Sequence, residues 1–153
     1  MYIIGIKADA AASTTAEFTP GTVGANYDGG FKVYKYMMYD EGTAAVDGVA
    51  GEVAYYVADT GYGANTVTSD LSDSDEVGAG VLQVNMSDNE YGWFQIKGFA
   101  TLSIALTAAT DGAPQTPTGS GDGSLDDTTA ATDAVCAITI DASAKEIICD
   151  FPY

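Results

Sequence analysis

Apolar side chains in this chain recur at every second residue far more often than at every third or fourth, which commits the backbone to strands. Clusters of Gly, Asp, Asn and Ser divide the alternating runs into nine candidate strands. These are Tyr2–Lys7, Phe31–Tyr39, Glu52–Ala58, Gly63–Thr68, Gly80–Met86, Tyr91–Lys97, Phe99–Leu106, Ala134–Ile140 and Lys145–Phe151. The only alanine runs, near Ala10–Ala16 and Ala130–Ala134, are diluted by Thr and Ser, so any helix is a turn or two. The expected fold is all-β, a small β-barrel or β-sandwich. Alternation assigns Val53, Tyr55 and Val57 to one face, then Leu82, Val84 and Met86, then Leu102, Ile104 and Leu106. Cys136, Ile138 and Ile140, with Ile147, Cys149 and Phe151, complete the expected core.

Phe31–Tyr39 breaks the pattern, because large side chains occupy both faces: Phe31, Val33, Met37 and Tyr39 on one, Tyr34, Tyr36 and Met38 on the other. Such a strand is either central in the domain or meets a partner with its outer face. Residues 8–30 are small, polar and Gly-rich, which suits an extended arm or a loop lying on another surface. Residues 107–133 carry five aspartates, Pro114 and Pro117 and no lysine, which reads as a long exposed loop or protrusion. The expected organisation is an N-terminal arm over 1–30 and a single β domain over 31–153. A length of 153 residues, 46% of them hydrophobic, supports one core without disulfides or metals.

Five lysines and no arginine against 22 acidic groups give a net charge of −17. A nucleic-acid partner needs a basic face, and an anionic membrane surface repels this chain, so neither is expected. Without histidine or arginine, Ser-His-Asp and Cys-His nucleophiles, histidine metal sites and arginine phosphate clamps are unavailable. No enzyme activity, catalytic residue or cofactor is expected. Tyr2–Ile6 is preceded by no basic segment and does not read as a secretory signal, and no run of 18 apolar residues occurs. Cys136 and Cys149 read as two small buried thiols of a cytosolically made protein, although paired strands could bring them face to face.

Three constellations bear on chemistry. Asp70, Asp73, Asp75 and Glu76 form one acidic cluster and Asp122, Asp126 and Asp127 another; oxygen ligands of this kind suit calcium, but the spacing matches no EF-hand loop and also describes a solvated face. No metal is assigned. Asp88 and Glu90 are the best carboxylate pair for glycosidase chemistry, and they flank Asn89 as a hairpin turn would. Ten tyrosines and Trp93 either stack on sugars, as in a carbohydrate- or receptor-binding surface module, or fill a core otherwise made of small residues.

The run GVLQVNMSDNEYGWFQIKG, residues 80–98, resembles the G-V…Y-G-W-x-Q-(V/I)-x-G core of the tailed-phage capsid decoration proteins, also called head cement proteins. The resemblance continues through the apolar strand Ala100–Leu106, the Ala/Gly/Thr/Asp-rich stretch 107–133 and the closing strands Ala134–Ile140 and Ile147–Phe151. Upstream, Gly24–Tyr39 and Glu52–Tyr56 look like the family's opening segments, more loosely. Only Tyr91–Gly98 is specific, and the cysteines and acidic loops depart from the family's pattern. The resemblance implies a structural virion protein made in the host cytoplasm and placed on the outer surface of the capsid. It implies a homotrimer that binds the major capsid protein lattice. In the motif, Phe94 and Ile96 point one way and Tyr91, Trp93, Gln95 and Lys97 the other, while Gly92 and Gly98 permit close approach or a bulge. Tyr34, Tyr36, Met38, Tyr91, Gly92, Trp93, Gln95 and Gly98 are therefore the candidate interface or structural residues, with core anchoring and partner contact both open.

Overall fold

The computed structural model describes residues 2–27 and 29–153. Met1 and Asp28, both within the segment expected as an arm, lie outside the described residues. The fold is nearly all β, a closed five-stranded barrel with further strands outside it. In chain order the strands are β1 (Tyr2–Ile4), β2 (Val23–Asn26), β3 (Lys32–Tyr39), β4 (Val53–Val57), β5 (Thr66–Thr68), β6 (Ser74–Leu82), β7 (Tyr91–Thr101), β8 (Pro114–Thr116), β9 (Asp126–Asp127), β10 (Ala137–Asp141) and β11 (Glu146–Asp150). A single helical turn, α1 (Gly61–Ala64), precedes β5.

The sheet order is β1-β2-β3-β5-β4-β6-β7-β11-β10-β8-β9, and pairing of β3 with β7 closes the barrel. Its interior is filled from all five barrel strands: Met37 and Tyr39, Ala54 and Tyr56, Val67, Ala79 and Leu82, and Phe94, with Met86 added from the loop after β6. A second core lies against the barrel wall. There Val53, Tyr55, Val81 and Ile96 meet Leu102, Leu106, Leu125, Cys136, Ile147, Cys149 and Phe151. β4 is consequently buried on both faces, with Val53 and Tyr55 in one core and Ala54 and Tyr56 in the other.

The two expected strands Tyr91–Lys97 and Phe99–Leu106 are one strand as far as Thr101. Its first half pairs with β3 and β6, and its second half with β11. Opposite Val33 and Tyr34, β7 holds one extra residue, Ile96, a bulge that turns the strand from the barrel into the outer sheet. Gly98 follows it with φ +96°. A Cβ there would stand 2.6 Å from the Phe31 carbonyl oxygen and 3.4 Å from Lys32 Cα, so only glycine fits.

Three short strands lie in segments expected to be without them. β2 sits within residues 8–30, and β8 and β9 within 107–133. The acidic stretch packs on the barrel through fully buried Leu125, Gln115 and Thr116. Ser124 adds a hydroxyl bond to the Ala105 carbonyl at 2.8 Å.

Ile138 and Ile140, expected in the core, face solvent and are 45% and 41% exposed. The inward positions of β10 are held by Ala137 and Thr139, which stand opposite Cys149 and Ile147. Those larger partners fill the space, so the small residues turn inward and the isoleucines outward. The Thr139 hydroxyl is buried and has no hydrogen-bond partner among the described residues.

Replacing Gly98 by Ala is expected to lower stability by more than about 1 kcal/mol, because strain at positive φ adds to the backbone clash. Gly63→Ala, in a helical turn with nothing within 4 Å of the added methyl, is expected to be neutral or stabilising. Denaturant titration of both variants checks the pair, and equal stabilities would contradict this role for Gly98.

Candidate interaction surface

The motif around Trp93 is assembled beneath the chain's own N-terminal segment. Even-numbered β3 residues and odd-numbered β7 residues share the outer wall of the barrel, with Tyr36 opposite Trp93 and Tyr34 opposite Gln95. Tyr36 meets Trp93 edge-on at 5.2 Å between ring centroids and stacks on Tyr91 at 6.2 Å. Phe18 lies on both, 5.3 Å from Tyr36 and 5.2 Å from Trp93. Ala8 and Ile6 complete the cover, and Trp93 is 3% exposed. Backbone bonds hold the segment down: Tyr91 N–H donates to the Ser13 carbonyl at 2.8 Å, and Glu17 N–H to the Tyr36 hydroxyl at 3.1 Å.

The other candidate residues serve the same construction. A Cβ on Gly92 would fall 1.9 Å from Met86 Cε, so the glycine makes room for a methionine that plugs the barrel. Gln95 donates its side-chain amide to the carbonyls of Phe99 at 2.8 Å and Lys97 at 3.3 Å, clamping the backbone on both sides of Gly98. Met38 is half-buried, between Tyr91 on one neighbouring strand and Thr66 on the other. The structure thus brings Tyr34, Tyr36, Tyr91 and Trp93 together and sets Gly92, Gln95 and Gly98 along the strand that carries them.

The carboxylates of the acidic clusters accept hydrogen bonds that mostly tie separate segments of the chain together. Asp70 accepts from Ser72 N–H at 2.9 Å, Asp75 from Asp59 N–H at 2.8 Å, and Asp122 from Leu71 N–H at 2.9 Å. Asp73 is bonded to Thr43 N–H, and Asp127 to the Gln115 amide. Glu90 accepts from Ser87 N–H at 2.8 Å across the turn that Asp88 also occupies. Among the described residues no group of three or more side chains is gathered as metal ligands.

Cys136 and Cys149 are buried and free. Burial pushes both thiols up, Cys149 to about 12, which suppresses the thiolate. Lys35 points into the barrel, where Nζ donates to the Tyr56 hydroxyl at 3.0 Å and lies 5.3 Å from the ring centroids of Tyr56 and Tyr62. Burial lowers its pKa. Its partners are therefore a phenol and two ring faces in a chain that has carboxylates in excess.

The exposed counterpart of these buried aromatics is a groove of about 320 Å³ at the open end of the β1–β2–β3 sheet. Ile4 and Tyr27 line it at 83% and 74% exposure, with Phe31 and Tyr153 also exposed, over a floor of Val23, Ala25 and Val33. Tyr27 and Phe31 pack ring to ring at 5.1 Å. Sequence reasoning missed this site; the signal was a few large apolar residues isolated among small and polar ones. A second, polar pocket of about 450 Å³ is lined by Lys7, Lys32, Asp9, Asn26, Tyr34 and Gln83. The chain matches no protein-family model, no curated protein and no solved structure.

The buried acids dictate alkaline unfolding. Burial raises the phenols of Tyr39, Tyr55 and Tyr56 above their ordinary 10 and the two thiols above 9, so the fold favours their neutral forms. Their contribution is complete below about pH 9 and is lost as pH rises toward their folded values. Lys35 has the opposite sign, gaining stability as pH climbs through its lowered value to 10.5, but it is one group against these five and Tyr36, whose phenol burial also raises. Stability is therefore expected to fall between pH 9 and pH 12. Circular dichroism melts across that range check it, and a constant melting temperature would contradict it.

Proposed function

We propose that this chain is a non-enzymatic structural protein of a tailed-phage virion, which decorates and stabilises the capsid by binding the major capsid protein lattice from outside as a homotrimer. The reading rests on the resemblance over Tyr91–Gly98. The observation that carries it in the fold is the groove of Ile4, Tyr27, Phe31 and Tyr153, an exposed apolar feature on a rigid barrel of the kind that marks protein contacts. The motif that anchors the resemblance serves in this structure to hold the barrel wall and the covering segment together. A charge of −17 keeps such a protein soluble before it docks and off the nucleic acid inside the head. Many weak contacts repeated over a lattice then add by multivalency.

Co-sedimentation of the purified protein with expanded, undecorated heads and with unexpanded precursor shells tests this. Saturable binding to expanded heads is the expected result. Absence of binding to either overturns the proposal, and saturable glycan binding in its place would establish a carbohydrate-binding module.

A further inference from the structure

β10 is inverted relative to an ordinary half-solvated strand. Antiparallel sheets turn apolar residues inward and polar ones outward, yet here Thr139 is buried with an unpartnered hydroxyl while Ile138 and Ile140 face water. The strand is not at an edge: β11 pairs on one side and β8 on the other. Register makes the outward residues a row. Phe99 stands opposite Ile148, Ile148 opposite Ile138, and Ile138 opposite Pro114, all four exposed. With strands about 4.8 Å apart, the row is roughly 14 Å long.

The surroundings of the row are acidic. Glu146 and Asp150 lie two residues before and after Ile148, on the same face of β11. Lys97, two residues before Phe99 on β7, is ion-paired with Asp150 and lies 4.9 Å from the Tyr153 ring centroid. A second copy of this chain complements such a face poorly. It brings 22 acidic groups against five lysines, of which Lys35 is buried, Lys97 is paired and Lys145 is bonded to the Ser103 carbonyl.

We propose that the outer face of the β7–β11–β10–β8 sheet is a docking surface for a protein partner that offers an apolar strip flanked by lysine or arginine. Resting on the capsid reading above, the assignment places that strip on the shell. Ile138, Ile148 and Phe99 supply the apolar contact, and Glu146, which unlike Asp150 is not paired with Lys97, the complementary charge that sets orientation and salt dependence.

The test measures binding of undecorated expanded heads by the wild type, by Ile138→Thr/Ile148→Thr and by Glu146→Lys, at low and moderate salt. Threonine keeps the β-branched strand preference, and melting curves establish that each variant is folded. The double variant is expected to need about tenfold or more higher concentration for half-saturation. Glu146→Lys is expected to weaken binding at low salt more than at moderate salt. Wild-type binding matched by the double variant overturns this assignment alone, whereas wild-type protein that binds no heads overturns the capsid reading and this assignment with it. A change of oligomeric state in the double variant, read by light scattering, also overturns the assignment, because the face then belongs to a second copy.

Discussion

The antiparallel pairing of β3 with β7 is the contact on which the other parts of this molecule depend. Six residue pairs join the two strands, and both faces of the joint are buried. On the inner face Met37, Tyr39 and Phe94 close the barrel; on the outer face Tyr34, Tyr36, Tyr91 and Trp93 form a wall that the N-terminal segment covers. Without the N-terminal segment this wall would expose a contiguous patch of large aromatic rings, so the cover is part of the fold. The bulge at Ile96 and the bend at Gly98 then lead β7 into the outer sheet, which places β11 and β10 against the barrel wall.

Much of this was legible in the sequence. Large residues on both faces of Phe31–Tyr39 announced a strand buried on two sides, and the spacing of Gly92, Trp93, Phe94 and Gly98 announced a tightly packed strand with a local irregularity. What covers Tyr34 and Tyr36 was not legible. Phe18 and Ala8 are single apolar residues in a segment of low complexity, and their contacts span 18 residues or more in the chain. β8 and β9 escaped for the same reason, since Leu125 is the one large apolar residue in a run of Gly, Ser, Thr and Asp, and the buried Gln115 and Thr116 beside it carry no apolar pattern. The phase of β10 failed differently. Alternation gives the period of a strand but not which face looks inward, and here the bulk of Ile147 and Cys149 on the neighbouring strand decided it.

The division between buried and exposed aromatics shapes the functional reading. Trp93 and Tyr36, for which the sequence left core anchoring and partner contact both open, are buried in the barrel wall. The exposed apolar groups of the described residues include the groove at Ile4, Tyr27 and Phe31 and the isoleucine row of the outer sheet. Both sit on a body that uses about half of its carboxylates to accept backbone N–H bonds and whose thiols are held neutral by burial. Such a body is suited to recognition by shape and charge.

Native-state amide hydrogen exchange tests the central place of the β3–β7 joint most directly. The slowest-exchanging amides are expected at Tyr34–Met38 and Gly92–Gln95, with the β10–β11 hairpin opening at lower free energy. Exchange at the β3–β7 joint as fast as that of the hairpin, with the slowest amides elsewhere, would contradict it.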